Sequence, residues 1–462
     1  MTLIKSISGI RGTIGGKPGV GLSPLDIVKF TSAFGSWIKK NVNKDKCKIV
    51  VGRDARISGP MVDKIITGTL MGLGVDVINI GLASTPTTEI AVTEENADGG
   101  IIITASHNPT QWNAMKLLNH NGEFLNDLNG KEVLAMADAE DFTYADVFDL
   151  GTLENKDNYT DIHIQKVLDL KLVDVEAIKK ANFSVAVDAV NSVGGIAIPR
   201  LLRALGVENI IEINCKADGH FSHNPEPIPE NLTEIASVIK EKGADVGIVV
   251  DPDVDRLAII NEDGSMFGEE YTLVAVADYV LSHTLGNTVS NLSSSRALRN
   301  VTESHGASYT ASAVGEVNVV TAMKDSHAVI GGEGNGGIIY PESHYGRDSL
   351  VGVGLFLTHL ANKAKKCSEL KAEYPAYFIS KNKIELTPQI DVDALLVKVK
   401  NKYSNEEITD IDGVKIDFAE GWVHLRKSNT EPIIRVYSES ESEDAANSLA
   451  YKIMADIKSF TC

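Results

Sequence analysis

The chain has 462 residues, and its 44 Lys or Arg against 63 Asp or Glu give a net charge of −19. This balance argues against general binding to nucleic acid or anionic membranes. The hydrophobic content of 43% argues against disorder. The length predicts roughly three or four domains. The first residues lack the apolar segment of a secretory signal, and no apolar run reaches the ~18 residues of a membrane span, so we expect a cytoplasmic protein.

The four cysteines are scattered through the chain and form no C-x-x-C pair: Cys47, Cys215, Cys367 and Cys462. This pattern argues against a disulfide framework and against a cysteine-built zinc site, and it fits a reducing compartment.

The first part of the chain alternates helices with short apolar strands. Ser23, followed by Pro24 and Asp26, predicts a capped helix that extends to about residue 40. Ser58 is the candidate cap of a second helix, which we expect to continue through Met71. Continuous apolar runs between helices are typical of a mostly parallel sheet that is covered on both faces. Such runs occur at residues 48–52, 75–80 and 100–104.

The same pattern recurs twice more before it changes. Further strands are predicted at 183–188, 245–250 and 328–330, and the second and third run directly into an acidic loop and a glycine-rich loop. We interpret this as three related α/β units, whose ligands gather at the carboxyl ends of strands. After about residue 375 the pattern changes to alternating strands at 381–386, 413–418, 422–425 and 433–437, followed by a helix at 443–458, which indicates an α+β unit. The predicted domains are 1–150, 151–258, 259–375 and 376–462.

The first of four loops that attract attention is Thr-Ala-Ser-His-Asn-Pro at 104–109. Ser106 follows a buried strand, where its hydroxyl can face a cleft, and serine becomes a nucleophile when a base or a charge activates it. His107 is adjacent, and Lys116 lies ten residues after Ser106. The loop is not a G-x-S-x-G elbow, which disfavours an ordinary serine hydrolase. Taken alone, it also fits a polar turn.

The second loop places Asp251, Asp253 and Asp255 at alternate positions directly after the strand at 245–250. Three carboxylates in this pattern can converge on one hard cation, and oxygen ligands favour magnesium, calcium or manganese over zinc. The alternative is a solvated acidic turn. Carboxylates this dense repel one another unless something neutralises them, so we favour a metal loop.

The third loop is the glycine-rich segment 331–337. It formally matches a G-x-G-x-x-G dinucleotide fingerprint, but the residues that follow look extended, so no helix N-terminus is available for a pyrophosphate. Glycines let a ligand approach the backbone closely. Glu333 and Asn335 are then the polar groups presented, and they suit sugar hydroxyls. A plain flexible turn is the alternative.

The fourth loop runs from Arg426 to Pro432 and is followed by Arg435. Arginine offers a two-pronged donor to phosphate, and Ser428, Asn429 and Thr430 add neutral donors. In an acidic chain this is a local anion site, although a turn between strands with surface charges explains the same residues.

Taken together and in this order, the four loops resemble those of the α-D-phosphohexomutase superfamily over essentially the whole chain. The family carries T-A-S-H-N-P, D-x-D-x-D, G-E-x-S-G-H-like and R-x-S-G-T-E-P loops, and the segments at 8–12 and 52–54 are also similar to family segments. This chain departs from the pattern, with Asn335 for the usual Ser, Gly337 for the usual His and Asn429 for the usual Gly. The glycine-rich third loop is similar to that of archaeal-type phosphoglucosamine mutases, which overlap with phosphomannomutases.

The resemblance implies three related α/β domains with mixed sheets and a C-terminal α+β domain, arranged around a central cleft. It implies interconversion of hexose 1-phosphates and 6-phosphates through phosphorylated Ser106 and a bisphosphate intermediate. Mg²⁺ would be held by the three aspartates and a phosphate oxygen on Ser106, and a hexose bisphosphate would act as activator. We expect glucosamine phosphate as the substrate, and a monomer or homodimer without nucleic-acid or membrane partners.

The resemblance also implies roles for single residues. His107 or Lys116 would be the general acid or base, and Arg11 would position Ser106. Glu333 and Asn335 would bind ring hydroxyls. The residues expected to complete the substrate site are Arg256, Arg426, Ser428, Asn429, Thr430 and Arg435.

Three other functions fit parts of the pattern. A metal phosphatase would use Ser106 as nucleophile and admit water to the phosphoserine. A second alternative places the phosphate on Asp251, with Asp253 as its acid. The third is a sugar-phosphate sensor that binds without turnover and carries no phosphoserine.

Overall fold

The computed structural model describes residues 2–6, 9–42, 44, 46–385, 391–427 and 433–461. The chain divides into two compact units, which are described separately. Unit 1 comprises Met1–Tyr279 and Asn335–Leu370, and unit 2 comprises Val280–Gly334 and Lys371–Cys462.

Unit 1 begins with a seven-stranded mixed sheet in the order β1-β2-β6-β5-β3-β4-β7. The central strands β3, β4 and β5 are parallel, whereas β1, β2 and β6 join antiparallel. The elements are β1 (Ile4–Ser6), β2 (Gly9–Thr13), α1 (Pro24–Asn41), β3 (Lys48–Arg53), α2 (Gly59–Gly72), β4 (Asp76–Leu82), α3 (Thr85–Glu94), β5 (Gly99–Ile103), β6 (Trp112–Leu118), α4 (Asp127–Ala139) and β7 (Leu153–Asn155).

A second sheet of four strands follows in unit 1, in the order β11-β10-β8-β9. Strands β9, β8 and β10 are parallel, and β11 returns antiparallel beside β10. All residues of β10 and β11 are buried, so the turn between them is held on a rigid base. The elements are α5 (Tyr159–Leu168), α6 (Val175–Ala181), β8 (Ser184–Asp188), α7 (Gly194–Ala204), β9 (Asn209–Ile213), α8 (Thr233–Lys242), β10 (Val246–Val250), β11 (Leu257–Asn261) and α9 (Glu269–His283).

Unit 2 contains three parallel strands in the order β13-β12-β14. The chain then returns to unit 1 for a short strand and a long buried helix. These elements are β12 (Thr288–Asn291), α10 (Ala297–Ser304), β13 (Tyr309–Ser312), α11 (Glu316–Ser326), β14 (Ile330–Glu333), β15 (Gly337–Ile339), α12 (Ser349–Lys363) and α13 (Cys367–Lys371).

The C-terminal part of unit 2 is an antiparallel sheet in the order β16-β20-β19-β18-β17. Helices α14 and α15 pack on it around a core that includes Val399, Ile416, Val436 and Ile453. The elements are β16 (Phe378–Glu385), α14 (Val392–Lys402), β17 (Glu407–Thr409), β18 (Val414–Asp417), β19 (Gly421–Lys427), β20 (Ile433–Ser440) and α15 (Glu443–Thr461).

The helix caps show where the sequence was informative. Ser23 and Asp26 form the predicted capping box of α1. Ser58 occupies the N-cap position of α2 as predicted, but its hydroxyl makes no capping hydrogen bond and accepts one of 2.9 Å from Asn113 Nδ2.

The predicted fold class of α/β units with mixed sheets and a C-terminal α+β unit is confirmed, although the first sheet is only half parallel. Among the described residues, no helix has both the length and the apolar composition required to cross a membrane.

Candidate active site

The serine loop follows β5 and turns sharply at Ser106. The backbone of Ser106 has φ of +48°, a conformation that costs a non-glycine residue energy and is concentrated at functional sites. The amide of Ser106 donates to Thr104 Oγ1 at 2.9 Å, and Thr104 donates to the buried carboxylate of Asp54 at 2.7 Å. The turn is therefore fixed from inside the first sheet.

A fully buried arginine holds the rest of the same loop. The guanidinium of Arg56 pairs with Asp54 at 3.0 Å and donates to the carbonyl oxygens of Ser106, Asn108 at 2.6 Å and Trp112 at 2.9 Å. Burial raises the pKa of Asp54, and Arg56 opposes that rise. Arg56 was not among the predicted site residues, although it lies only two residues after the segment 52–54 that resembles the family.

The acidic loop between β10 and β11 lies next to Ser106. The hydroxyl of Ser106 donates to Asp251 Oδ2 at 2.7 Å. Carboxylate oxygens of Asp251, Asp253 and Asp255 lie within 4.8 Å of one another, and all three residues are buried. Burial, Asp255 and Asp253 together raise the pKa of Asp251 well above its usual range. The carboxylates of this loop repel one another, and a bound cation would relieve that repulsion.

The oxygen atoms of this loop fit a hard divalent cation. Within the described chain, Asp253 Oδ1 and Asp255 Oδ1 are buried without a hydrogen-bond partner. Buried polar atoms in folded proteins are normally satisfied, and a carboxylate oxygen without a donor is free to coordinate an ion. A donor set of carboxylates alone is typical of magnesium, calcium or manganese. The predicted metal residues are therefore brought together, and they could hold a metal.

Two cations already face the acidic loop. Lys116 Nζ lies 2.7 Å from Asp253 Oδ2 and 3.5 Å from Asp255 Oδ2, and Arg347 donates to Asp255 Oδ2 at 2.6 Å. Burial opposes the charge on Lys116, but the two aspartates outweigh it and raise its pKa. Burial also acts to raise the pKa of Asp253, yet Lys116 and hydrogen bonds hold it below its usual range. Lys116 is therefore a protonated group.

His107 differs from Lys116 in its charge. Its Nδ1 lies 3.4 Å from Ser106 Oγ. Burial and the nearby Arg256 lower the pKa of His107 well below its ordinary value, so the imidazole is neutral. The backbone N–H of Arg256 donates to Asp251 at 3.2 Å, and its guanidinium lies 3.7 Å from Glu226. Both predicted residues thus lie at the serine and acidic loops.

Arg11 lies on β2 opposite Ala114 of β6. Its predicted role in positioning Ser106 stays a prediction. Arg56 does donate to the serine loop.

The glycine-rich segment is shorter as a loop than predicted, because Gly331, Gly332 and Glu333 belong to β14. In unit 2, Glu333 Oε1 accepts from Asn291 Nδ2 at 2.8 Å and from the amide of Gly315 at 3.1 Å. A strand, β15, follows the loop, so the prediction that the residues after it are extended is confirmed.

The part of this loop in unit 1 packs on the acidic loop and its neighbours. Asn335 Oδ1 accepts from the amide of Gly337 at 3.2 Å, and the carbonyl of Gly336 accepts from the amide of Leu257 at 3.0 Å. A Cβ atom on Gly337 would lie 2.3 Å from Cδ of Arg347, so the arginine fills the space beside this glycine. Arg347, like Arg56, was not among the predicted site residues.

Two arginines of unit 2 flank the predicted phosphate loop. Arg426 on β19 and Arg435 on β20 are directly paired across the sheet. Like charges in such a pair repel unless an anion lies between or beside them. Arg426 Nε lies 2.8 Å from Asp412 Oδ2, and the same oxygen accepts from the amide of Val314 at 3.0 Å. The predicted donors Ser428, Asn429 and Thr430 lie outside the described residues.

Three sheets covered by helices, an antiparallel C-terminal sheet, and a serine beside a buried acidic loop define a fold and site of the α-D-phosphohexomutase type. Four models of the phosphoglucomutase/phosphomannomutase family match the chain: α/β/α domain I at residues 3–144, domain II at 161–264, domain III at 268–377 and the C-terminal domain at 383–455. The chain belongs to this family.

Individual relatives cover nearly all of the chain. A phosphoglucomutase/phosphomannomutase of Thermococcus kodakarensis is 38% identical over 429 residues, which are 92% of each chain. A phosphoglucosamine/phosphogalactosamine mutase of Sulfurisphaera tokodaii is 34% identical over 452 residues, which are 96% of this chain and 97% of the relative. A crystal structure of a phosphoglucomutase/phosphomannomutase family protein from Burkholderia thailandensis has a TM-score of 0.84 at 25% identity and covers 99% of this chain and 98% of its own.

Proposed function

We propose that this protein interconverts hexose 1-phosphates and hexose 6-phosphates by reversible phosphoryl transfer through Ser106. The observation that carries the proposal is the contact of Ser106 Oγ with Asp251 at 2.7 Å, on a strained turn beside the buried acidic loop. A hydroxyl held at an acidic cation site suits phosphoryl transfer better than acyl transfer, because the described residues around Ser106 include no G-x-S-x-G elbow.

In the proposed cycle, Ser106 carries a phosphoryl group, which passes to the free hydroxyl of a hexose monophosphate. The P–O bond to Ser106 breaks as the bond to the sugar oxygen forms, and a hexose bisphosphate results. The bisphosphate turns over, and Ser106 takes back the phosphoryl group from the other position. The products are the isomeric monophosphate and phosphorylated Ser106, so no phosphate is released.

The protons of the two transfers need an acid and a base. We propose Lys116 and His107 for these roles, because Lys116 Nζ lies 2.7 Å from Asp253 and His107 Nδ1 lies 3.4 Å from Ser106 Oγ. Asp251, Asp253 and Asp255 are the residues that would hold Mg²⁺. When bound, Mg²⁺ supplies positive charge that stabilises the phosphoryl group during transfer.

We propose that each predicted domain contributes one loop to substrate handling. Glu333 and Asn335 would bind ring hydroxyls, and Arg256 would contact substrate near the serine loop. The phosphate that does not react would be bound by Arg426 and Arg435 with Ser428, Asn429 and Thr430. The pairing of Arg426 with Arg435 across the sheet supports this part.

For the sugar, we propose glucosamine phosphate. The relative from Sulfurisphaera tokodaii is named as a mutase of amino-sugar phosphates, and the relative from Thermococcus kodakarensis is named as a mutase of glucose and mannose phosphates. The glycine-rich third loop favours the former.

The test is phosphorus NMR of purified protein with Mg²⁺ and a trace of hexose bisphosphate. Glucosamine 6-phosphate, mannose 1-phosphate and glucose 1-phosphate are supplied separately under matched conditions. Conversion between the 1- and 6-phosphates is expected, with the highest kcat/KM for glucosamine phosphate. Free phosphate without isomerisation would support a phosphatase, and a higher kcat/KM for mannose or glucose phosphate would overturn the sugar assignment alone.

A further inference from the structure

Unit 1 contains a buried cluster of charged groups that the proposed chemistry does not use. We call it the histidine–carboxylate cluster, and its members are Glu89, His163, His344 and Asp348. His344 Nε2 lies 3.0 Å from Asp348 Oδ2, and its Nδ1 lies 3.3 Å from Glu89 Oε2. His163 Nε2 lies 2.8 Å from the same Asp348 oxygen. The side chains of Glu89, His163 and Asp348 are at most 1% exposed, and that of His344 is 14% exposed.

The opposite charges of His344 and Asp348 stabilise each other inside this cluster. Burial disfavours the imidazolium of His344, but Asp348 and Glu89 outweigh it and raise its pKa to about 10. Burial acts to raise the pKa of Asp348, but His163 and His344 hold it below its usual range. Buried ionic groups contribute little net stability, and one of their best-attested uses is to fix one arrangement among several.

The cluster joins two helices at their N-terminal turns. Glu89 belongs to α3, and Thr87 on the same helix bonds His163 Nδ1 at 2.9 Å. Asp348 is the N-cap of α12 and accepts from the amides of Leu350 and Val351. His344 and His163 therefore bridge α3 to α12.

The first turns of the same two helices hold the acidic loop. On the side of α3, Thr85 donates its hydroxyl to Asp253 Oδ2 at 2.6 Å and its amide to the Asp253 carbonyl at 2.9 Å. On the side of α12, Arg347 donates to Asp255 Oδ2 at 2.6 Å, and the amide of Ser349 donates to the carbonyl of Val254 at 3.3 Å. Val254, between the two aspartates, has φ of +62°. The loop is thus a strained turn clamped from both sides.

We propose that the histidine–carboxylate cluster is a positioning device for the acidic loop: by fixing α3 against α12, it presets Asp253 and Asp255 to bind one divalent cation. The proposal rests on the proposed function only for the identity of the cation site. Presetting matters because ligands that must be ordered on binding reduce affinity, and metal sites depend on the shell that supports their ligands. The cluster acts through Thr85 and Arg347 and touches neither substrate nor cation.

The experiment measures Mn²⁺ binding to the purified full-length protein by electron paramagnetic resonance titration. The variant is Glu89→Gln/His344→Gln, which removes one negative and one positive charge and so leaves no extra buried charge. The matched control is Asp278→Asn/His359→Gln. His359 is buried, lies on the same helix α12 and pairs with Asp278 at 3.6 Å, away from the acidic loop.

The cluster variant is expected to bind Mn²⁺ about tenfold more weakly than the unmodified protein, a typical cost of losing the supporting shell of a metal site. The control is expected to bind Mn²⁺ normally. Thr87→Val, which removes the hydroxyl that contacts both His163 Nδ1 and Ser84 Oγ, is the second variant if the first does not fold, and a smaller loss of Mn²⁺ affinity is expected.

Unchanged Mn²⁺ affinity in folded cluster variants, or an equal loss in the control, would overturn the positioning role. Isomerisation of hexose phosphates is measured in parallel. An unmodified protein that binds Mn²⁺ but does not isomerise any sugar phosphate would count against the proposed function, and the Mn²⁺ comparison would still test the cluster.

Discussion

The hydroxyl of Ser106 and the carboxylate of Asp251 are 2.7 Å apart although 145 residues separate them in the chain. The contact joins the loop after β5 in the first sheet to the loop after β10 in the second. Both loops leave the carboxyl end of a buried strand, where α/β sheets commonly bind their ligands. The contact therefore makes the two loops one site.

Ser106→Ala is expected to lower isomerisation by at least ~1,000-fold, because it removes the hydroxyl that is proposed to carry the phosphoryl group. Circular dichroism is expected to show an intact fold. Mass spectrometry should detect one phosphoryl group on the unmodified protein and none on the variant. Ser237→Ala, an exposed serine on α8, is the control. Phosphate located on Asp251 would favour the aspartyl-phosphate alternative.

Arg56→Met is expected to destabilise the protein by about 3–5 kcal/mol, because it leaves the buried Asp54 without its cation. It is also expected to lower kcat by roughly 100-fold, because the carbonyls of the serine loop lose their donor. Urea unfolding and steady-state kinetics measure the two effects. The double variant Asp54→Asn/Arg56→Met should regain stability without regaining kcat. Recovery of both would make Arg56 a purely structural residue.

Chelation of divalent cations is expected to abolish isomerisation, and Mg²⁺ to restore it. Asp255→Asn should raise the Mg²⁺ concentration for half-maximal rate by about tenfold or more, because it removes a carboxylate from a donor set of three. Asp263→Asn, at the exposed turn of the hairpin that follows, is the matched control. Full activity in the presence of chelator would exclude a metal role for the acidic loop.

Arg426→Ala is expected to raise KM for the sugar phosphate by about tenfold with a smaller change in kcat, because a charged hydrogen bond to phosphate is lost. Asp412→Asn should change KM in the same direction but less, because Asp412 holds Arg426 Nε and the amide of Val314. Asp410→Asn, which breaks an exposed pair with Lys400, is the control. An unchanged KM in Arg426→Ala would mean that this loop is structural.

His424 is expected to make unit 2 sensitive to acid. Burial lowers the pKa of His424 to about 4, and its Nδ1 contacts Ser293 Oγ at 2.9 Å. The pKa of His424 is lower in the folded state than in the unfolded state, so protonation of the imidazole favours unfolding. Its contribution is therefore complete above pH ~6.5 and is lost as the pH falls towards about 4, on the order of 3 kcal/mol.

Urea unfolding at several pH values between about 4 and 7 tests this sign. His424→Gln is expected to flatten the pH dependence in that window, and His220→Gln, an exposed histidine, to leave it unchanged. Equal slopes for the unmodified protein and His424→Gln would contradict the expectation.

The sequence was sufficient to locate groups that are close together along the chain. Ser106, His107 and the three aspartates follow buried strands, and a polar residue after an apolar run is visible without a structure. Arg347 was not visible, because it acts on Asp255 across 92 residues and has no signal of its own. Ser58 was predicted to cap a helix with its hydroxyl, but that hydroxyl contacts Asn113, which is 55 residues away in the chain. Long-range partners decide such cases.

The strands likewise divide into those that local sequence predicts and those that depend on long-range pairing. The central parallel strands were predicted from apolar runs. The antiparallel strand β2, Gly9–Thr13, was missed because its two glycines, an arginine and a threonine carry no apolar pattern. Its place is set by pairing with β6 rather than by its own propensity.

The close approach of Gly337 and Arg347 limits which side chains these two positions can carry together. A side chain at position 337 would begin 2.3 Å from Cδ of Arg347, whose guanidinium is anchored on Asp255. The two positions cannot both carry a large side chain in this arrangement. A histidine at position 337 of this chain would therefore require Arg347 to move or to be replaced. Either change would take the guanidinium of Arg347 away from Asp255, so the residue at position 337 decides whether the acidic loop keeps this cation.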